Sequence, residues 1–129
     1  MARRVAEIAN SQNLPVILGG DLDAEPDSGS VRLLTGRQSL NGESTAYVRA
    51  WDVAHPGERC VTLDPADGLV ASTVPGWPYR QFDHILVRCA RDGLASLLVE
   101  SCERVFDKRR AGMWASDHYG LVAELTARH

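Results

Sequence analysis

The sequence has few cysteines and no long apolar run. Its three cysteines (Cys60, Cys89 and Cys102) are odd in number, widely spaced and without a Cys-X-X-Cys pair. This pattern indicates reduced, mainly structural thiols of a cytoplasmic protein, and it argues against a zinc site built from cysteines. No stretch has the length and apolarity of a membrane span, and the first residues lack the apolar core of a signal peptide. We therefore predict a cytoplasmic protein with no transmembrane segment.

An excess of positive charge is also missing. The formal net charge of the 129 residues is -3, so the chain has no general basic field for undirected nucleic-acid binding. Any phosphate group would have to be met by local arginine or lysine side chains or by a bound metal ion. The length is that of one domain with a core of its own, and we predict a single domain over residues 1–129.

Hydrophobic periodicity and turn residues divide the chain into two parts. The first part is predicted to be mainly helical around one strand: a helix over Ala2–Ser11, a buried strand at Pro15–Leu18, a helix capped by Asp27 or Ser28 and ended by Gly36, and a helix over Tyr47–Ala54. The second part is predicted to contain strands at Arg59–Leu63, Phe82–Val87, Ala95–Val105 and Tyr119–Leu125. This order predicts an α+β fold of mixed layers with mainly antiparallel strands and flanking helices.

Two acidic residues follow the first predicted strand in the segment PVILGGDLDAEPD. If the backbone stays extended, period-2 alternation places Asp21 and Asp23 on one face and Leu22 on the other. Two adjacent carboxylates at a strand end are costly unless a partner compensates them, and a divalent cation with oxygen ligands is the usual partner. The alternative for this segment alone is an ordinary strand end followed by a polar turn.

Two further polar clusters lie at strand edges. Asp83 interrupts the apolar run FDHILV, and Ser116-Asp117-His118 directly precedes the last strand. Each has a structural explanation when taken alone, as a surface residue or a turn. Taken together, they supply carboxylates and a histidine for metal-assisted phosphate ester hydrolysis. Asp83 can fix the tautomer of His118 if their two strands lie side by side.

The segments GDLDAEPDS, YRQFDHILV and WASDHYGLVAEL, in this order and spacing, resemble the last three motifs of the endonuclease/exonuclease/phosphatase (DNase I-like) superfamily. Thr62 and Arg80 lie in a stretch similar to the connecting segment of that family. The resemblance runs from about Leu14 to Leu125. It implies half of a four-layer α/β sandwich, in which two face-to-face sheets are covered by helices.

The resemblance implies a role for five residues. Asp21 matches the aspartate that positions or deprotonates the attacking water and contacts metal. Asp23 stands where the family usually has asparagine, as a water-holding residue or an extra metal ligand. Asp83 matches the aspartate that orients the catalytic histidine, which is His118, and Asp117 matches a metal ligand. The implied cofactor is Mg²⁺ or Mn²⁺.

The chain matches only the carboxyl-terminal half of the family pattern. The early asparagine, the metal-binding glutamate and the mid-chain histidine of the family have no counterpart in it. We therefore expect a truncated domain, whose exposed apolar sheet face pairs with a second copy or with a missing amino-terminal half.

These observations predict a divalent-metal-dependent phosphoesterase that hydrolyses phosphodiesters or phosphomonoesters. Its substrate would be a nucleic acid, a sugar or inositol phosphate, or a phospholipid head group. The alternative is a non-catalytic metal-binding or interaction module that needs the missing half. A serine hydrolase reading is disfavoured because Ser116 lies in no G-X-S-X-G segment.

Overall fold

The structure, a computed structural model, describes Arg4, Glu7, Ile8 and residues 14–128. Arg4, Glu7 and Ile8 are helical, and the rest of the helix predicted over Ala2–Ser11 lies outside the described residues. Within the described part, no helix is both long and apolar enough to cross a membrane.

A three-stranded sheet carries the first two acidic clusters. Its strands are β1 (Ile17–Asp21), β2 (Tyr47–Arg49) and β3 (Asp83–Arg88), in the order β1-β3-β2 with antiparallel pairing throughout. β3 is the central strand. Half-buried and buried residues alternate from Asp83 to Leu86, and Leu86 and Val87 are both fully buried. The register of β1 and β3 places Asp21 directly opposite Asp83. This pairing places two predicted site residues side by side at one end of the sheet, where β1 ends and β3 begins.

A second sheet consists of the hairpin-like pair β4 (Leu97–Val105) and β5 (Gly120–Ala127). The two strands are antiparallel, with a register shift between Val99 and Ser101. β5 also approaches β3. The residues just before β5 therefore lie near the end of the first sheet at which β3 begins. The predicted α+β fold with mainly antiparallel strands and flanking helices is confirmed.

The described helices outside the amino-terminal segment are short: α1 (Gly29–Leu34), α2 (Ala50–Ala54) and α3 (Gly68–Thr73). The Ser28 hydroxyl accepts a hydrogen bond from the first turn of α1 and caps it, as predicted. After α1 the chain turns at Gly36, whose φ of +75° favours glycine. A side chain at Gly36 would also press on the carbonyl oxygen of Thr45, at 3.0 Å. The predicted cap and stop of this helix are therefore both confirmed.

Two of the predicted elements are wrong. The helix predicted over Tyr47–Ala54 begins only at Ala50, because Tyr47–Arg49 pairs with β3 as a strand. The strand predicted at Arg59–Leu63 is an irregular segment with one bridge, between Leu63 and Arg80. In addition, α3 forms in a stretch for which the sequence analysis predicts no helix or strand.

The burial predicted for the first strand is also wrong. Ile17 is 52% exposed and Leu14 is equally exposed, whereas Val16 and Leu18 are half-buried. β1 is an edge strand, and the described residues cover only the face on which Val16 and Leu18 lie. The apolar run therefore forms a strand with one covered and one open face.

The hydrophobic core supports the start of β3. Leu63, Val70 and Phe82 form a buried cluster against which Val74 packs. Phe82 directly precedes Asp83, so packing of the phenyl ring holds the backbone from which the acidic side chain projects. The core therefore holds the backbone of Asp83 independently of its polar contacts.

Candidate active site

Asp83 is the first residue of β3, and His118 lies two residues before β5. The two side chains are in direct contact. The Asp83 Oδ2 atom is 2.8 Å from His118 Nδ1, and the two side chains are 20% and 23% exposed. An ionised carboxylate can only accept hydrogen bonds, so the Nδ1–H group of the imidazole donates. This bond fixes the ring orientation and leaves Nε2 as the ring atom that can meet a ligand.

Opposing effects act on the pKa of His118. Burial lowers this pKa, but the hydrogen bond to Asp83 and the charge of that carboxylate raise it. The charges of Asp21 and Asp117 add to the increase, and the net result is a pKa above the usual value of 6.5. His118 is therefore biased towards the imidazolium form, which can donate from both nitrogens.

Asp21 is the last residue of β1 and lies directly opposite Asp83 in the ladder. Side chains that are directly opposite share a face, with Cβ atoms about 4.5–5.5 Å apart, and like charges at such positions destabilise a sheet. The two carboxylates therefore repel each other, and nearby positive charge stabilises them. The imidazolium form of His118 supplies such a charge.

Asp23 does not lie on the same extended face as Asp21, and this prediction is wrong. The strand ends at Asp21, and Asp23 has a left-handed backbone with φ of +46°. Aspartate and asparagine are the non-glycine residues that tolerate this conformation best. The Asp23 N–H group donates to Asp21 Oδ1 at 2.8 Å. In the described residues, Asp23 therefore acts on the site through its backbone, and its exposed carboxylate makes no contact with Asp83, Asp117 or His118.

The Ser116-Asp117-His118 segment is a self-supported turn. The Ser116 hydroxyl donates to Asp117 Oδ1 at 3.2 Å and accepts from the His118 N–H at 3.1 Å. Phe82 lies 6.4 Å from the His118 ring, measured between ring centroids. These contacts hold the turn at the sheet edge next to Asp83.

The acidic residues fit a hydrated divalent cation better than a caged one. Among the described residues, no group of three or more histidine, cysteine, aspartate or glutamate side chains is arranged to hold a metal ion. Mg²⁺, however, usually keeps several waters and binds through one or two carboxylates together with substrate phosphate. The charges of Asp21 and Asp117 both raise the pKa of His118, and the repulsion between the Asp21 and Asp83 carboxylates favours a cation near them.

Glu25 supports the site, although the sequence analysis assigns it no role. Its Oε1 atom is 3.2 Å from Arg80 Nη1, and its Oε2 atom accepts from the Gln81 N–H at 3.4 Å. These bonds tie the loop after β1 to the residues before β3. No local pattern could have revealed the pairing, because Glu25 and Arg80 are 55 residues apart.

His84 closes the same loop from the other side. It is almost fully buried, and its Nε2 atom is 2.8 Å from the carbonyl oxygen of Ala24. Burial lowers the pKa of His84, so the ring is neutral and donates from Nε2 to this carbonyl. His84 is therefore a packed residue, and it holds the segment that carries Asp23.

A model of the Endonuclease/Exonuclease/phosphatase family matches residues 2–118 of the chain. The match includes all of the acidic residues and both histidines described above. No curated protein and no solved structure matches the chain.

Proposed function

Because the chain belongs to the endonuclease/exonuclease/phosphatase family, whose members generally hydrolyse phosphate esters, we propose that it is a divalent-metal-dependent phosphoesterase. The observation that carries this proposal is the Asp83–His118 pair at 2.8 Å, with Asp21 opposite Asp83. A histidine oriented by one carboxylate and faced by a second one provides both a proton donor and a proton acceptor at a single sheet edge.

Asp21, His118 and Asp83 have distinct roles in the proposed reaction. The Asp21 carboxylate orients a water molecule for in-line attack on phosphorus and accepts its proton. One of its oxygens is held by the Asp23 N–H, which leaves the other as the acceptor. As the water oxygen bonds to phosphorus, the bond to the leaving oxygen breaks, and this oxygen departs with the bonding electron pair. The His118 imidazolium donates a hydrogen bond from Nε2 to a non-bridging phosphoryl oxygen, and Asp83 stabilises the imidazolium.

The metal requirement rests on the donor set of the site. A bound Mg²⁺ or Mn²⁺ supplies charge neutralisation on the phosphoryl oxygens, and Asp21 and Asp117 are the residues that would hold it. Asp23 follows two residues after Asp21, and its exposed carboxylate would be an additional candidate ligand. The asparagine expected from the sequence resemblance would tolerate the same left-handed backbone.

The test is hydrolysis of bis(p-nitrophenyl) phosphate and p-nitrophenyl phosphate by the full chain with Mg²⁺, with Mn²⁺ and with EDTA. We expect metal-dependent turnover that falls by about a hundredfold or more in His118→Ala, because the imidazolium that stabilises the charge on the phosphoryl oxygens is lost. Asp21→Asn should cause a comparable loss, and Asp117→Asn should raise the metal concentration needed for half-maximal activity.

Asp92→Asn is the matched control for the two aspartate variants. Asp92 lies beyond the opposite end of β3, where it pairs with Arg128. Its removal should leave turnover unchanged. Hydrolysis that needs no metal, or that survives in His118→Ala, would contradict the proposal. Metal binding to the chain without turnover of either ester would instead support the metal-binding or interaction module.

A further inference from the structure

Thr62 is a fully buried polar residue next to the candidate site. Its side chain is 0% exposed, although it lies in an irregular segment between α2 and α3. A buried hydroxyl must be hydrogen-bonded to be tolerated, and the identity of its partners shows what it supports.

The Thr62 hydroxyl binds the backbone at the beginning of β3. Its Oγ1 atom accepts from the Phe82 N–H at 3.0 Å and from the Asp83 N–H at 3.2 Å. A hydroxyl oxygen has two acceptor lone pairs, and these two bonds use both. The backbone position of Asp83 therefore depends directly on this oxygen.

The Thr62 backbone binds both flanking segments. Its N–H donates to the Arg80 carbonyl oxygen at 2.9 Å, and its carbonyl oxygen accepts from the Tyr119 N–H at 2.7 Å. Tyr119 directly follows His118. A single buried residue thus holds the two chain segments that carry Asp83 and His118.

We propose that Thr62 is a positioning residue, whose hydroxyl sets the separation between the Asp83 carboxylate and the His118 imidazole. The effect on turnover rests on the proposed function, whereas the effect on the Asp83–His118 hydrogen bond does not. The hydroxyl is the necessary group, because valine has the same shape but leaves two buried N–H donors without an acceptor. Serine keeps the acceptor and loses only the methyl group.

The experiment compares Thr62→Val, Thr62→Ser and the matched control Thr126→Val. Thr126 lies on β5, where its exposed hydroxyl binds Glu100. The primary readout is the ¹⁵N and ¹H resonances of the His118 imidazole at one fixed pH, assigned with His118→Gln. We expect the hydrogen-bonded Nδ1–H signature in the wild type, in Thr62→Ser and in Thr126→Val, and its loss or a clear shift in Thr62→Val.

Turnover of bis(p-nitrophenyl) phosphate provides the second readout. In Thr62→Val, kcat should fall by about tenfold to a hundredfold with little change in KM, because the pair is misplaced while the substrate still binds. Thr62→Ser should restore most of kcat. If the wild type shows no turnover, the proposed function fails, and the imidazole signature still decides the role of Thr62.

An unchanged imidazole signature in a less stable Thr62→Val would overturn the proposal, since Thr62 would then be merely a packing residue. The same conclusion follows if Thr62→Ser loses the signature as valine does, because the methyl group would be the important part. If Thr62→Val does not fold, the serine variant decides the question. The proposal then requires Thr62→Ser to keep both the signature and the slow amide exchange of Phe82 and Asp83.

Discussion

The Asp83–His118 pair should contribute a measurable coupling free energy to folding. The perturbation is a double-mutant cycle of Asp83→Ala, His118→Ala and the combined variant. The cycle isolates the interaction between the two side chains from the other effects of each substitution. A carboxylate and an imidazolium that are both more than three-quarters buried should be coupled more strongly than an exposed ion pair.

The expected magnitude follows from the geometry. Two charges about 4 Å apart at an effective dielectric constant of about 20 attract by roughly 4 kcal/mol, and desolvation offsets much of this. Hydrogen bonds to charged groups have net contributions of about 1.5–3 kcal/mol. We therefore expect a coupling free energy of about 2 kcal/mol when His118 is protonated, and about 1 kcal/mol for the neutral bond.

The sign of the pH dependence follows from the pKa of His118. The pKa is raised in the folded state above 6.5, so the native state binds the proton more tightly than the unfolded state. This stabilisation is complete below the unfolded pKa and is lost as the pH rises through the folded pKa. The coupling free energy should therefore be larger near pH 6 than near pH 9.

The assay is urea unfolding of the four proteins at these two pH values. A parallel cycle on Asp92 and Arg128, which form an exposed ion pair at 2.7 Å, serves as the comparison and should give a smaller coupling. A coupling for Asp83 and His118 below about 0.5 kcal/mol at both pH values would refute the reasoning, as would one that grows with pH. Either result would mean that the two groups do not interact as an ion pair in solution.

Three further predictions concern the core, a buried histidine and the open sheet edge. Leu86→Ala should lower the free energy of unfolding by about 3 kcal/mol in urea titrations, because Leu86 is fully buried in the central strand; a loss below about 1 kcal/mol would argue against that packing. His84 has a lowered pKa, so stability should fall as the pH drops below about 6.5, where only the unfolded state gains this proton. His84→Gln should lose that part of the pH dependence, and an equal slope in both proteins would exclude His84 as its source. Light scattering at high concentration should detect self-association through the edge strand that exposes Ile17, and Ile17→Lys should reduce it; a monodisperse wild-type monomer would contradict this prediction.

Local chemistry explains which parts of the fold could be predicted from the sequence. Ser28 and Gly36 bound α1 because a cap hydroxyl and a left-handed glycine act within a few residues. The same logic would have found α3, whose N-cap is Asp67, with its side chain accepting from the Leu69 N–H at 2.8 Å. The sequence analysis predicts no element there, although the cap signal for α3 is present in the sequence.

Tertiary contacts explain the parts that could not be predicted. The spacing of apolar residues predicts a helix that begins at Tyr47, but pairing of residues 47–49 with β3 makes them a strand. The contact between His84 and Ala24 joins residues 60 positions apart, and that between Thr62 and Asp83 joins residues 21 apart. No periodicity records such bonds. The sequence motifs predicted the candidate site residues and the Asp83–His118 pair, whereas the contacts of Thr62, His84 and Glu25 emerged only from the structure.

Asp23 shows how these two kinds of information combine at one residue. Alternation along a strand predicted that its carboxylate would join Asp21, and the positive φ breaks that alternation. The backbone N–H of Asp23 holds Asp21 instead, while His84 holds the adjacent carbonyl of Ala24. The backbone thus performs the positioning, and the side chain must only tolerate a left-handed conformation beside an anionic site. Aspartate and asparagine both meet that requirement, so we expect an Asp23→Asn substitution to change the charge of the site more than its geometry.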